Sequence, residues 1–161
     1  MIPFTDLLTP MKIEYIYLDL ESCSRCMLAE KDLMEALSEL EKPMKRLGIR
    51  FDVVTKQIEN EEEAAAYRFY SSPTVRANGI DLLGAIEEND CADCSEISGT
   101  LTQCRTFIYK GMKYDSPPVP MLMEAILKVY FGLCDVKTEA DYKIPENLKS
   151  FFDGKRKKIV K

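Results

Sequence analysis

The sequence predicts an α/β fold with its elements in the order β-α-β-α-β-β-α, and three observations carry that prediction. Ile13-Glu14-Tyr15-Ile16-Tyr17-Leu18 is a nearly continuous run of β-formers, the pattern of a strand buried on both faces. Leu33, Leu37, Leu40, Met44 and Leu47 then recur at steps of four and three, one helical stripe to lay against a sheet. Toward the other end, Leu122, Ala125, Ile126, Val129, Tyr130 and Leu133 repeat the same helical period.

The remaining elements follow in order. Met11 opens the first strand, which leaves 1–10 as an N-terminal extension. The first helix spans Cys23 to Leu47, with a kink or break expected near Lys42 because Pro43 lacks a donor, and with Gly48 as its C-terminal stop. Ile49 to Thr55 is the second strand. Glu59 to Tyr70 is the second helix, and its acidic first turn suits the helix dipole. A short strand opens at Pro73 and closes on Asn78-Gly79, a turn signal. Residues 80–102 have weak periodicity and read as an insertion holding a helical turn or more. Arg105 to Tyr109 is a strand, and Gly111 to Tyr114 a turn or hairpin arm. Strands joined by a helix should run parallel; the two strands that flank the insertion should pair antiparallel within the same sheet. The chain is therefore one domain over 11–133, followed by a C-terminal extension over 134–161.

Composition narrows the function. A chain of 161 residues with 46% hydrophobic and 30% charged residues folds as one ordinary domain. No run reaches the roughly 18 apolar residues of a membrane span, and the start has no secretory pattern, so a cytoplasmic protein without a membrane partner is expected. The net charge of −5 and the lack of a basic face exclude nucleic acid as the main partner. Lys155 to Lys158 read as a solvated tail. The absence of histidine removes Ser-His and Cys-His catalysis and every His-containing zinc site. Six cysteines remain, at 23, 26, 91, 94, 104 and 134, and CxxC spacing in a cytosolic chain points to redox or metal chemistry.

Cys23 falls between the first strand and the first helix. Unpaired backbone N–H groups and the helix dipole there favour thiolate, the species that attacks disulfides and binds soft metals. Cys26 lies one turn on, within reach of a disulfide, and Arg25 adds a nearby cation. In this reading Cys23 attacks and Cys26 resolves a protein or small-molecule thiol or disulfide, with no cofactor required, and Pro73 shapes the groove only as a resemblance to the thioredoxin fold implies. Cys91, Cys94 and Cys104 make a second cluster. They suit zinc or another soft metal ion, a second dithiol relay, or a structural disulfide or zinc clip; Asp93, Cys134 or water are the candidates for a fourth zinc ligand. Strand length predicts that Cys104 stands more than about 10 Å from Cys23, so that the clusters meet only if 80–102 folds back over the sheet. Cys134 reads as a lone packing residue, Tyr67, Phe69 and Tyr70 as packing aromatics, and Glu61 to Glu63 as a solvated face.

Strand, Glu21-Ser22-Cys23-Ser24-Arg25-Cys26, then helix resembles the thioredoxin fold, in which a proline opening the third strand sits beside the CxxC through a cis peptide. More specifically, Leu20 to Cys26, Ser72-Pro73-Thr74-Val75-Arg76-Ala77-Asn78-Gly79-Ile80-Asp81-Leu82, Cys91-Ala92-Asp93-Cys94 and Cys104-Arg105-Thr106-Phe107 resemble the thioredoxin-like DUF2703 family, a domain of unknown function. The resemblance covers about 11–133 and implies a thioredoxin fold without naming a substrate. The chain is also distantly similar to thioredoxin-like components of organometal (mercury-type) detoxification. It departs from ordinary thioredoxins in having no Trp before Cys23 and no Gly-Pro between the two cysteines. The leading expectation is a thiol-disulfide oxidoreductase or redox relay. The alternatives are a soft-metal or organometal binding protein and an interaction module with structural cysteines.

Overall fold

A computed structural model describes residues 8–19, 23–84, 87–134 and 141–159. The elements are β1 (Thr9–Tyr17), α1 (Ser24–Arg46), β2 (Ile49–Gln57), α2 (Glu61–Ala66), β3 (Thr74–Ala77), β4 (Ile80–Asp81), β5 (Glu87–Asp90), α3 (Ala92–Ser98), β6 (Gln103–Tyr109), β7 (Met112–Tyr114), α4 (Val119–Tyr130) and α5 (Glu146–Ile159). Together they form a mixed α/β molecule. One sheet has the order β2-β1-β3-β4, with β1 and β2 parallel and the other pairs antiparallel. A second, three-stranded antiparallel sheet has the order β5-β6-β7.

Alternation along β1 divides the interior in two. Met11, Ile13 and Tyr15 face an aliphatic core built from Leu33, Leu37, Leu40 and Met44 of α1 and from Leu122 and Ile126 of α4. Ile16 begins a second core, which Leu18, Ile58, Phe69, five cysteines and the α5 residues Leu148, Phe151 and Phe152 complete.

Several expectations change on contact with the structure. The α1 helix passes through Pro43 without breaking and ends three residues later. A proline this near the C-terminus disturbs only the last turn, and Gly48, at φ +83°, turns the chain into β2. The stripe holds from Leu33 to Met44, but Leu47 lies past the helix and is exposed. The second helix is half its expected length, because Arg68 takes a left-handed backbone soon after Ala66. Asn78-Gly79 does make a turn, with both residues at positive φ, and its returning arm is the short β4. The strand expected to pair with β3 across the insertion is β6, which instead joins the second sheet. It touches the Ser72-Pro73 corner through one bond, from the Arg105 N–H to the Ser72 carbonyl at 2.8 Å. The α4 helix ends at Tyr130, so Leu133 is exposed.

The C-terminal segment is the largest correction. Lys155 to Lys158 belong to α5, which packs on α2 and α3 and covers the second core. Asn147 donates to the Gln103 carbonyl (2.7 Å) and accepts from the Gln103 N–H (2.8 Å). Arg156 holds Glu61 through two bonds of 2.8 Å, so Glu61 is an anchor rather than a free solvated carboxylate. Tyr142, ahead of the helix, donates to the Phe69 carbonyl at 2.6 Å.

Candidate functional site

Both CxxC motifs start helices in the same way. Cys23 is the N-cap of α1 (φ −100°, ψ 108°) and Cys91 the N-cap of α3 (φ −110°, ψ 112°); neither sulfur caps a backbone N–H. The side chains are therefore free to point away from their own helices, and the two motifs face each other. The Cys94 thiol donates to the Cys23 sulfur at 3.9 Å, and the Cys104 thiol donates to Cys94 at 3.5 Å. The sulfurs of Cys23, Cys91 and Cys94 all lie within 4.8 Å of one another.

The second sheet brings them there. The β5–β6 register sets Asn89 opposite Cys104, and the Cys91 N–H donates to the Thr102 carbonyl at 2.8 Å. With α3 as the connection of this hairpin, Cys94 is folded back over Cys104. The expected wide separation of Cys104 from the Cys23 site is overturned, since 87–102 does return over the first motif. The residues between the cysteines lock the two motifs together. The Asp93 carboxylate accepts from the Ser24 N–H (2.9 Å) and the Ser24 hydroxyl (2.7 Å). Arg25 donates to the Asn89 side chain (2.6 Å) and to the Arg105 carbonyl (2.8 Å). Arg25 thus serves as a clamp on β5 and β6, not as the cation beside sulfur that the sequence suggested. Asp93 is likewise occupied with Ser24 instead of completing a zinc shell.

Burial of the cluster is complete. Cys23, Cys26, Cys94 and Cys104 have no exposed surface and Cys91 is 1% exposed. The neighbouring thiols, Cys104 first and then Cys26, Cys91 and Cys94, stabilise the Cys23 thiolate and hold it far below the ordinary thiol range. Cys91 is brought down to about 7, chiefly by the neighbouring Cys104 thiol. Cys26 is raised, first by donating to Cys23 and then by burial; Cys104, facing Cys23, and Cys94, facing Cys104, are raised as well. The Cys26 sulfur also meets the Ser72 hydroxyl at 3.5 Å, and that hydroxyl accepts from the Leu18 N–H at 3.0 Å. The Ser72-Pro73 peptide is cis. Tyr15, itself fully buried, donates to the Cys26 carbonyl and fixes the first turn of α1 to β1.

Around one ion with bonds of about 2.3 Å, neighbouring thiolate sulfurs stand roughly 3.5–4 Å apart. The 3.9 and 3.5 Å separations fit that spacing, and the group Cys23, Cys91 and Cys94 could hold a metal ion. Cys91 and Cys94 were expected as ligands with Cys104; the group close enough to hold an ion is Cys91 and Cys94 with Cys23, and Cys104 stands 3.5 Å from Cys94. Cys134 lies apart, half-buried in a hollow of about 440 Å³ with residues of β4, β6 and α4. The sequence pattern signalled the aromatic cover only weakly: Phe151 and Phe152 sit in the segment read as a C-terminal extension, and only their adjacency and the Leu148 spacing hinted at an apolar face.

Fold and site define a mixed α/β protein with a buried thiol cluster. The chain belongs to the family described as a domain of unknown function (DUF2703), which matches residues 11–126. That match includes all five clustered cysteines and stops short of α5. No curated protein and no solved structure matches the chain. Among the described residues no helix is long and apolar enough to cross a membrane.

Proposed function

We propose that this chain binds one thiophilic metal or metalloid ion through Cys23, Cys91 and Cys94, with Cys104 beside them. The observation that carries the reading is the convergence of three sulfurs from two separate motifs within 4.8 Å, fully buried. An all-sulfur donor set selects soft ions, and the lowered Cys23 and Cys91 supply ligands already biased toward thiolate. Sulfurs this close surround a single ion; a multinuclear cluster would need them spread apart. Free thiols suit a reducing, cytoplasmic setting.

Thiol-disulfide exchange is the second reading. It is favoured by the placing of both thiols at the start of α1, with the Cys26 sulfur meeting the hydroxyl of Ser72, the residue before Pro73, at 3.5 Å. Cys23 would attack and Cys26 resolve. Full burial weighs against it, because a disulfide substrate needs access to the attacking sulfur. An organometal-detoxifying role would draw on the same sulfurs.

The test is anaerobic titration of the reduced chain with zinc and with cadmium, followed by sulfur charge-transfer absorbance and by metal content after desalting. One ion per chain is expected. Cys23→Ser should weaken binding by at least about a hundredfold, since loss of outer-shell partners alone costs 10–100-fold, while Cys134→Ser should change nothing. Binding equally sensitive to Cys134, or exchange activity with no ion bound, would replace this reading with the second.

A further inference from the structure

Charge around the cluster narrows the class of ion, a step that rests on the ion-binding reading above. Arg105 is the one fully buried charged side chain among the described residues, and it is neutralised by Asp81 through bonds of 2.9 and 3.1 Å. Arg25, the other arginine near the motifs, is committed to Asn89, to the Arg105 carbonyl and to Asp115, at 3.7 Å. Around the Cys23 sulfur stand the Cys94 sulfur at 3.9 Å and the Cys91 sulfur within 4.8 Å. The apolar wall is Ile16, Leu18, Ile58, Phe69, Phe151 and Phe152.

Four thiolates around a divalent ion would bury two net negative charges in this setting, and three around a divalent ion would bury one. The α1 N-terminus offsets only about half a unit charge and the seven-residue α3 less, and the Asp93 carboxylate seated on Ser24 at the α1 end opposes both. Burial of uncompensated charge is strongly disfavoured. Three thiolates around a trivalent centre bury none.

We infer that the cluster is built for a trivalent metalloid of the arsenite or antimonite type, held by Cys23, Cys91 and Cys94 as a neutral trithiolate, with Cys104 left as a thiol. Arsenite in neutral water is an uncharged trihydroxide, so neither the incoming ligand nor the product carries charge into the apolar core. Binding is a condensation without redox change. Three As–O bonds break, three As–S bonds form, and the oxygens leave as water with the thiol protons. Solvent supplies the proton for any sulfur that begins as thiolate. The 3.9 Å separation of Cys23 and Cys94 is somewhat wider than the sulfur–sulfur edge of such a pyramid, so the two sulfurs draw together as the centre binds. Cys104, although 3.5 Å from Cys94, stands outside the mutually close group of three.

The experiment compares arsenite, zinc and cadmium on the reduced full-length chain, with arsenic-edge X-ray absorption on the unmutated protein. Three sulfur neighbours and no retained oxygen are expected, with arsenite binding tighter than either divalent ion. Cys94→Ser should lower arsenite affinity by well over about a hundredfold, and Cys104→Ala, which removes only a thiol neighbouring Cys94, by about tenfold, while Cys134→Ser should leave it within about threefold. Zinc or cadmium binding more tightly than arsenite, an As–O neighbour, or equal losses from Cys94→Ser and Cys104→Ala would overturn the metalloid assignment and leave the ion-binding reading standing. Failure to bind any of the three ions would overturn both. The absorption measurement needs no variant and so does not depend on how the substitutions fold.

Discussion

Cys23-Ser24-Arg25-Cys26 and Cys91-Ala92-Asp93-Cys94 have nearly the same backbone and very different support. The first opens a helix of 23 residues, seven of them buried, that packs along the sheet. The second opens a helix of seven residues with only Cys94 and Ser98 buried. A helix so short has little stability of its own. The first motif is thus held by its helix, and the second by what surrounds it: Asp93 on Ser24, Arg25 on β5 and β6, and α5 packed across α3. Equal local geometry therefore conceals unequal robustness. Disturbing the cover should unseat Cys91 and Cys94 well before Cys26.

The harshest way to break this comparison is to empty the cover. Phe151 is fully buried against the cysteines. Phe151→Ala should cost about 3–5 kcal/mol, the range for removing a buried aromatic ring, measured by urea unfolding. Cysteine-resolved alkylation of the same variant should label Cys91 and Cys94 sooner than Cys26. If Cys26 reacts as fast as Cys94, the two motifs open as one unit and the asymmetry argued above is wrong.

A gentler perturbation acts on the α3–α5 contact. A Cβ at Gly154 would come closer to the Ser98 carbonyl oxygen than real Cβ atoms do, so α5 sits against α3 by virtue of having no side chain there. Gly154→Ala should displace the helix at a cost of about 1–3 kcal/mol, as for overpacking elsewhere. Unfolding midpoints read the cost, and faster labelling of Cys94 with unchanged labelling of Cys26 reads its location. Stability equal to the unmutated chain would mean that α5 is loosely seated and that the cover closes by other contacts.

The same asymmetry explains what the sequence disclosed. The α1 motif was legible because its signals are local: a strand of β-formers, a CxxC at the junction, and a stripe from Leu33 to Met44 that is buried as expected. The Asn78-Gly79 turn was equally readable, although its partner strand was not. The second motif's position depends on the β5–β6 register and on bonds between residues 69 positions apart, such as Ser24 with Asp93, and no periodicity encodes those. Reading β6 as a member of the first sheet placed Cys104 far from Cys23, which hid the single five-thiol site. The α5 helix was missed for a related reason. Its charged end dominates the composition, while its apolar contribution is only Leu148, Phe151 and Phe152, whose value appears once α2 and α3 are in place.

The smallest expected effect goes most directly to the junction of the motifs. Asp93 accepts from the backbone N–H and hydroxyl of Ser24, so the second motif supplies the N-terminal cap that Cys23 does not provide for α1. A carboxylate at that end also complements the helix dipole. Asp93→Ala should cost about 1 kcal/mol, within the 0.5–2 kcal/mol range for lost N-caps, and Asp93→Asn less, because an amide oxygen can still accept from Ser24. Urea unfolding gives the energy, and ion affinity of the reduced protein gives the consequence. Removing the carboxylate frees Cys94 to drift from Cys23, so affinity should fall with Asp93→Ala and largely recover with Asp93→Asn. Should stability fall while affinity holds, Asp93 caps α1 without registering the motifs, and the position of Cys94 is set by Arg25 and α5 alone.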